Sequence, residues 1–264
     1  MADEQHEGRR RRLRTARPWA TGAGGCHHLA GQPSVSAVPG GPTDLERLAA
    51  EITSCRACPR LVAWREEVAT TKRAAFRDQD YWGRPLPGFG DPHATIAVVG
   101  LAPAAHGANR TGRIFTGDRS GDWLFASMYR RGLANQPTST SAGDGLRLHG
   151  AWVCSAVRCA PPANRPTLEE RDRCAPFLVR ELDLLPRVRV VVALGGFAYD
   201  AVARAFGVRR RPPFGHGVEA DLGRAGIRVV CSYHPSQQNT FTGRLTEPML
   251  DAVFARAVQL SRKT

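Results

Sequence analysis

The 264-residue sequence has no run approaching the roughly eighteen consecutive apolar residues that a membrane span needs. Its N-terminal stretch, with the Arg9–Arg12 run, lacks the apolar segment of a secretory signal. No membrane association is expected, and a cytoplasmic location is. Lysine is scarce, standing only at 72 and 263, so the basic charge rests on arginine. Lys and Arg together number 37 against 24 Asp and Glu, a formal net charge of +13. Residues 1–42 hold six Arg against one Asp and two Glu, which leaves +10 on the remainder. A surplus of that size is the footprint of a protein that visits a polyanion such as nucleic acid, although Arg-rich usage also solvates a surface without any partner.

A second tight C-x2-C is also missing. Cys55-Arg-Ala-Cys58 is one such pair, able to present two thiolates to one metal site. The other candidates, Cys159 and Cys174, are separated by fourteen residues, which is not the closing half of a zinc ribbon. Seven cysteines in an expected cytosolic chain argue against a disulfide framework and toward metal or catalytic use. Spacing alone leaves open an iron-sulfur cluster, a zinc site, or ordinary burial of small thiols. Cys154 and Cys231 fall inside apolar runs and read as core, and Cys26 lies near the N-terminus.

Residues 1–42 are rich in Gly, Pro and Arg without apolar periodicity, the composition of a disordered basic tail. Order is expected from Thr43, where Thr43 and Glu46 have capping-box spacing ahead of Leu45, Leu48 and Ile52. Four Val- and Ile-rich runs, at 94–101, 151–157, 188–194 and 227–233, read as strands covered on both faces. Helical patterns lie at about 120–132, 167–185, 195–206 and 246–262. The alternation predicts a three-layer α/β/α sandwich about a central four-stranded, mainly parallel sheet, within one domain over 43–264. Ligands of such sheets collect at the carboxyl ends of the strands. The residues beyond those ends include His106, the glycine-rich stretch after it, Arg158, Cys159, Asn164, His234 and Ser236. The chemically suggestive side chains therefore fall on one rim.

Two strings are specific. Gly100-Leu-Ala-Pro-Ala-Ala-His-Gly-Ala-Asn-Arg-Thr-Gly-Arg-Ile-Phe-Thr-Gly-Asp-Arg-Ser-Gly121 and His234-Pro-Ser-Gln-Gln-Asn-Thr-Phe-Thr-Gly-Arg-Leu-Thr246, with the four cysteines in this order, resemble the family 5, or type b, uracil-DNA glycosylases over about residues 43–262. The resemblance implies a 4Fe-4S cluster on Cys55, Cys58, Cys159 and Cys174. It also implies hydrolysis of the N-glycosidic bond of uracil, or of other deaminated or damaged bases, in DNA, leaving an abasic site. The partner would be uracil-containing DNA, single- or double-stranded, acted on by a monomer.

Such chemistry needs an everted base, a flat wall, a donor for the base oxygen and a polar group near a water. Phe115 is the expected wall. His234 is the expected donor to the base O2, as a neutral imidazole whose hydrogen bond strengthens as the base becomes anionic. Gly100, Ala102 and Ala104 are expected to border the substrate. Relatives carry a carboxylate or amide where this chain has Ala102, so the water falls to Asp118 or Asn164. Asp118 also reads as a helix N-cap and Asn164 as a turn residue. Ser155 stands where family 4 relatives carry a base-reading Asn. Ser236, Gln237, Gln238 and Arg244 are candidates for contacting the DNA backbone or filling the gap left by the base. Gly107–Arg113 nearly spells a P-loop, but Ile114 stands where the magnesium-binding hydroxyl belongs and no Lys follows Gly112. Its glycines are expected instead to bring backbone amides to phosphates.

Overall fold

At the start of the first helix, the Thr43 side chain accepts from Glu46 N at 3.2 Å while Glu46 Oε2 accepts from Thr43 N at 2.6 Å, forming the expected capping box. The structure, a computed structural model, describes residues 43–223 and 226–262, so the expected tail and Cys26 lie outside the described residues. Helix α1 (Asp44–Ser54) turns its buried Leu48 and Ile52 inward. Helix α2 (Pro59–Thr71) follows at once, with proline at its first position where no amide is needed. Cys55 is the C-cap of α1 and Cys58 the N-cap of α2, so the C-x2-C pair occupies the corner between two helices.

The chain then forms β1 (Phe89–Gly90), β2 (Ile96–Gly100), the single turn α3 (Ala108–Thr111), α4 (Arg119–Arg130) and β3 (Ala151–Ser155). After these come α5 (Leu168–Asp183), β4 (Val190–Leu194), α6 (Gly196–Ala205), β5 (Glu219–Asp221) and β6 (Arg228–Ser232). The short α7 (Gln237–Phe241) and α8 (Glu247–Ser261) close the described chain. A second capping box, Thr167 with Glu170, starts α5.

The sheet has six strands in the order β1-β3-β2-β4-β6-β5. The four expected strands are its parallel centre, with Val98 level with Val153 and Val192, and Val192 level with Val230. The expectation of four strands is corrected by β1 and β5, which pair antiparallel at the two edges. They are two and three residues long, too short to show the alternation by which a strand is read from sequence.

Successive side chains of a strand point to opposite faces, and here both faces are covered. Ile96, Val98, Val190 and Val192 pack with Leu124 and Phe125 of α4 and Leu250 and Phe254 of α8. Ala97, Val99, Val191 and Ala193 pack with Leu178 of α5 and Tyr199 and Val202 of α6. This is the expected three-layer sandwich. Burial of a Val or Leu side chain contributes about 1.5–3 kcal/mol, so stability concentrates in these two layers. Cys154 and Cys231 belong to the second layer, in the core as expected.

From β2 the chain moves outward to β3, crosses back over β2 through α5 to reach β4, and continues to β6. The connections leaving β2 and β4 thus run in opposite directions, and the crevice at their carboxyl ends is where sheets of this kind take ligands.

Candidate active site

A cavity of about 700 Å³ opens at that crevice. Its walls come from the segments after β2, after β3 and after β6. Ala102, Ala104, Phe115 and Asp118 line it from the first segment, Asn164 from the second, and His234 and Ser236 from the third. Phe115 and His234 share this cavity, their ring centroids 5.8 Å apart and their planes inclined by 30°.

Phe115 adopts φ 54°, a left-handed conformation that a bulky side chain rarely takes and that costs about 1–3 kcal/mol. Two glycines make room for it. A Cβ at Gly100 would stand 2.6 Å from the Phe115 ring, and one at Gly121 only 1.9 Å from its carbonyl oxygen. Gly100 is thus absent from the cavity wall but sets the seat of the aromatic that forms it.

His234 follows β6 by two residues, and its carbonyl accepts from Asn239 Nδ2 at 2.8 Å. Burial holds its imidazole well below the usual histidine range, at about 4, so it is neutral at pH 7. Asp118 is the N-cap of α4, its Oδ1 accepting from Gly121 N at 3.1 Å, and it also faces the cavity. The cap and the site reading therefore describe one side chain. Burial pushes its carboxyl up to about 6, against the lowering by the Gly121 and Ser120 amides; Asp122 adds to the rise and Arg110 opposes it. The backbone of Gly107 lies against this carboxylate, and a Cβ there would come within 2.2 Å of Asp118 Oδ2. Asn164 is exposed at the rim with φ 55°, next to Ala163 at φ 52°. Two consecutive left-handed residues place it over the cavity, a geometry Asn tolerates better than most.

Several sequence expectations are redistributed. Ser155 is buried outside the cavity wall, and its Oγ donates to the Val157 carbonyl at 2.9 Å. Ser236 lines the cavity while its hydroxyl caps α7, accepting from Asn239 N at 3.4 Å. Gln237 and Gln238 are at the wall, whereas Arg244 is outside it with its guanidinium 4.5 Å from the Tyr233 ring. Arg158 is buried against Glu181 on α5, Nη2 to Oε2 at 2.6 Å, away from the rim. The amides of Asn109, Arg110, Thr111 and Gly112 donate to the Ala104, Gly107 and Ala108 carbonyls, closing α3 on itself.

Sequence reasoning passed over Arg73 and Phe76, which line the cavity from the 3₁₀ turn after α2. Arg110 lies 4.0 Å over the Phe76 ring. The interleaving of basic and aromatic residues in Lys72-Arg-Ala-Ala-Phe-Arg77 is the signal that could have found them. His106 is also on the wall, with Nδ1 3.1 Å from Tyr81 Oη.

The four cysteines gather at the flank of the sheet. Cys58, Cys159 and Cys174 are buried together with Leu61 and Val157, and Cys55 lies near enough to raise the thiol pKa of all three. Burial is the larger cause, pushing Cys159 up to about 12. Arg65, itself only 2% exposed, donates from Nη1 to Cys159 Sγ at 2.9 Å and from Nη2 to the Cys55 carbonyl at 3.2 Å. Arg173 faces Cys58, and Arg158 faces Cys174. Among the described residues, no three His, Cys, Asp or Glu side chains are grouped so as to hold a metal ion.

The fold is thus an α/β sandwich whose mainly parallel sheet carries an aromatic ring, a neutral histidine and a carboxylate in one cavity at its switch point. The family model described as "Uracil DNA glycosylase superfamily" matches residues 87–258, and the chain belongs to that superfamily. Within it, the chain is similar to the Type-5 uracil-DNA glycosylase of Mycobacterium tuberculosis (strain CDC 1551 / Oshkosh), 55% identical over 84% of each chain. The Type-5 enzyme of Thermus thermophilus is 52% identical over 83% of this chain and 99% of its own. A Type-4 uracil-DNA glycosylase of Archaeoglobus fulgidus is more distant, 29% identical over 73% of this chain and 81% of its own.

Proposed function

We propose that residues 43–264 are a single catalytic domain that excises uracil from DNA, leaving an abasic site. The observation that carries this reading is the shared cavity of Phe115, His234 and Asp118 at the switch point of the sheet. A base inside a duplex is out of reach, so the nucleotide is turned out of the stack and its base lies against Phe115. The C1′–N1 bond breaks with its electron pair passing to the base. A neutral His234 donating to the base oxygen stabilises the charge that develops there, more in the transition state than in the ground state. Water adds its oxygen to C1′ and gives up a proton, which Asp118 accepts. Ala102 carries no group that could orient this water, and Asn164 at the rim supplies an amide that can hold it or the base edge. Acceptance of other deaminated or damaged bases is part of the reading. The proposed partner is DNA, single- or double-stranded, met by a monomer in the cytoplasm.

The four cysteines fit a 4Fe-4S cluster by their donor chemistry. Cys58, Cys159 and Cys174 each feel the charge of Cys55, and Arg65, Arg158 and Arg173 offer positive charge to thiolates that burial alone would keep protonated. Cys55, Cys58, Cys159 and Cys174 would hold such a cluster, which takes four thiolates. When bound, the cluster would tie the α1–α2 corner to α5 and to the end of β3, a structural role.

Incubation with a uracil-containing oligonucleotide followed by alkaline cleavage tests the activity. Strand scission at the uracil is expected. Binding without scission would favour a DNA-binding module, in which Phe115 only stacks on bases.

The pH dependence tests Asp118. Its carboxylate accepts a proton only when ionised, so the single-turnover rate is expected to fall as pH drops through about 6. Asp118→Asn should be slow at every pH, with that acid limb gone. A limb that persists in the variant would assign the titration to another group.

A further inference from the structure

The long excursion between α4 and β3 takes no part in the cavity wall, yet it holds the wall in place. Residues 131–150 carry only one isolated bridge, Ala134 to Leu148, and loops of this length usually serve a purpose. Asp144 organises the excursion, its carboxylate accepting from the amides of Thr140 at 2.7 Å, Ser141 at 3.3 Å and Leu146 at 3.0 Å. The same carboxylate meets Arg113 Nη2 at 2.8 Å on both oxygens, and the pair is nearly buried, each side chain 9% exposed.

Arg113 spends its remaining donors on the same two segments. Nη2 reaches Ser139 Oγ at 2.8 Å, Nη1 the Ala142 carbonyl at 3.2 Å, and Nε Thr116 Oγ1 at 3.0 Å. Thr116 Oγ1 and Ser139 Oγ are 2.7 Å apart, and Gly117 N donates to the Ser139 carbonyl at 2.8 Å. Between Arg113 and Thr116 in sequence stands Phe115, the residue whose backbone is in the left-handed region. Its own ring makes contact with His234 but has no polar group by which to be held. The bonds that keep the strained turn closed belong to its neighbours, and they end on Asp144.

We propose that Asp144 is a positioning residue for base excision, acting through Arg113 and Thr116 to keep the Phe115 ring as the wall of the base cavity. The inference rests on the glycosylase reading above. It assigns the 138–146 loop the task of a buttress, remote from the reacting atoms.

The test is a double-mutant cycle read in single-turnover excision of uracil, with affinity for undamaged duplex and thermal melting measured beside it. Asp144→Asn is expected to slow excision by about 10–100-fold, the cost of a small misplacement of a binding group, with affinity changed by less than about threefold. In the Phe115→Ala background, where no ring remains to be positioned, adding Asp144→Asn is expected to slow excision by less than about threefold further. An equal loss in both backgrounds would overturn the proposal, because it would show a role independent of Phe115. An unchanged rate in Asp144→Asn would overturn it too. Should Asp144→Asn fail to fold, Ser139→Ala removes the hydroxyl that Arg113 and Thr116 share while sparing the ion pair, and the same cycle with Phe115→Ala decides. Inactivity of the wild-type chain on uracil DNA would instead defeat the glycosylase reading and the buttress with it.

Discussion

Replacement of His234 by alanine is expected to lower the single-turnover rate of uracil excision by about 10²–10³-fold, the usual cost of removing one preorganised donor to a developing anion. Affinity for undamaged DNA should change by less than about threefold, because the imidazole lies inside the cavity and not on the outer surface. The size of the effect follows from the surroundings. Burial keeps the ring neutral, with its pKa at about 4, so it donates without carrying a charge that would have to be desolvated again. It lies 5.8 Å from the Phe115 ring, beside the proposed place of the base. A loss confined to affinity, with the chemical step intact, would remove His234 from the reaction.

Stability must not masquerade as chemistry in such measurements, and the titrating groups of the cavity pull both ways here, burial lowering His106 as it lowers His234 while it raises Asp118. The His234 pKa is lowered in the folded chain, so between about 4 and its ordinary 6.5 the unfolded chain holds more protons and stability rises with pH. The Asp118 pKa is raised, so between its ordinary 3.8 and about 6 the folded chain holds more protons and stability falls with pH. In the shared window the two slopes oppose. A drop in rate between pH 6.5 and 5 that exceeds the loss of folded protein read from melting at the same pH therefore reports the Asp118 carboxylate at work.

What could be read from sequence follows from whether a signal is local. The capping box at Thr43 and the four central strands are local patterns, and the structure has them within a few residues. The rim was legible for a different reason: a parallel sheet sends all its outgoing loops to one edge, so order along the chain gave proximity in space. Edge strands β1 and β5 were not legible, since two or three residues pair there only because a neighbouring strand offers its unpaired edge. Nor was the left-handed turn at Phe115. Nothing next to it in sequence demands φ 54°; the demand comes from Gly100, Gly121 and the distant Asp144. Ser155 shows the converse, a position matched by string to a base reader whose hydroxyl the fold turns onto the Val157 carbonyl.

Cys159→Ser is expected to cost folding as well as activity, a wider loss than any cavity variant. The sulfur stands between the end of β3 and α2, buried, with Arg65 Nη1 at 2.9 Å. In the proposed cluster it is a thiolate, so one substitution removes a ligand of iron and the anion that Arg65 faces. A hydroxyl supplies no negative charge, leaving the buried guanidinium only the more distant Glu66 carboxylate at 3.8 Å, and breaking a buried pair in this way costs up to about 3–5 kcal/mol. For a domain of this size that corresponds to a melting point lower by about 10 °C. Arg65 cannot escape to water without dragging the α1–α2 corner, because Nη2 holds the Cys55 carbonyl and its own carbonyl accepts from the buried Asn109 on α3. Disturbance at the cysteines should therefore reach the loop that carries His106 and Gly107 to the cavity. The wild-type chain should be brown, absorbing near about 400 nm as iron-sulfur proteins do, and Cys159→Ser should be bleached. Cys154→Ser and Cys231→Ser, made in the core of the second layer, should melt lower yet keep the colour, which separates loss of a ligand from loss of packing. A Cys159→Ser protein that stays brown, stable and fully active would take this residue out of the cluster.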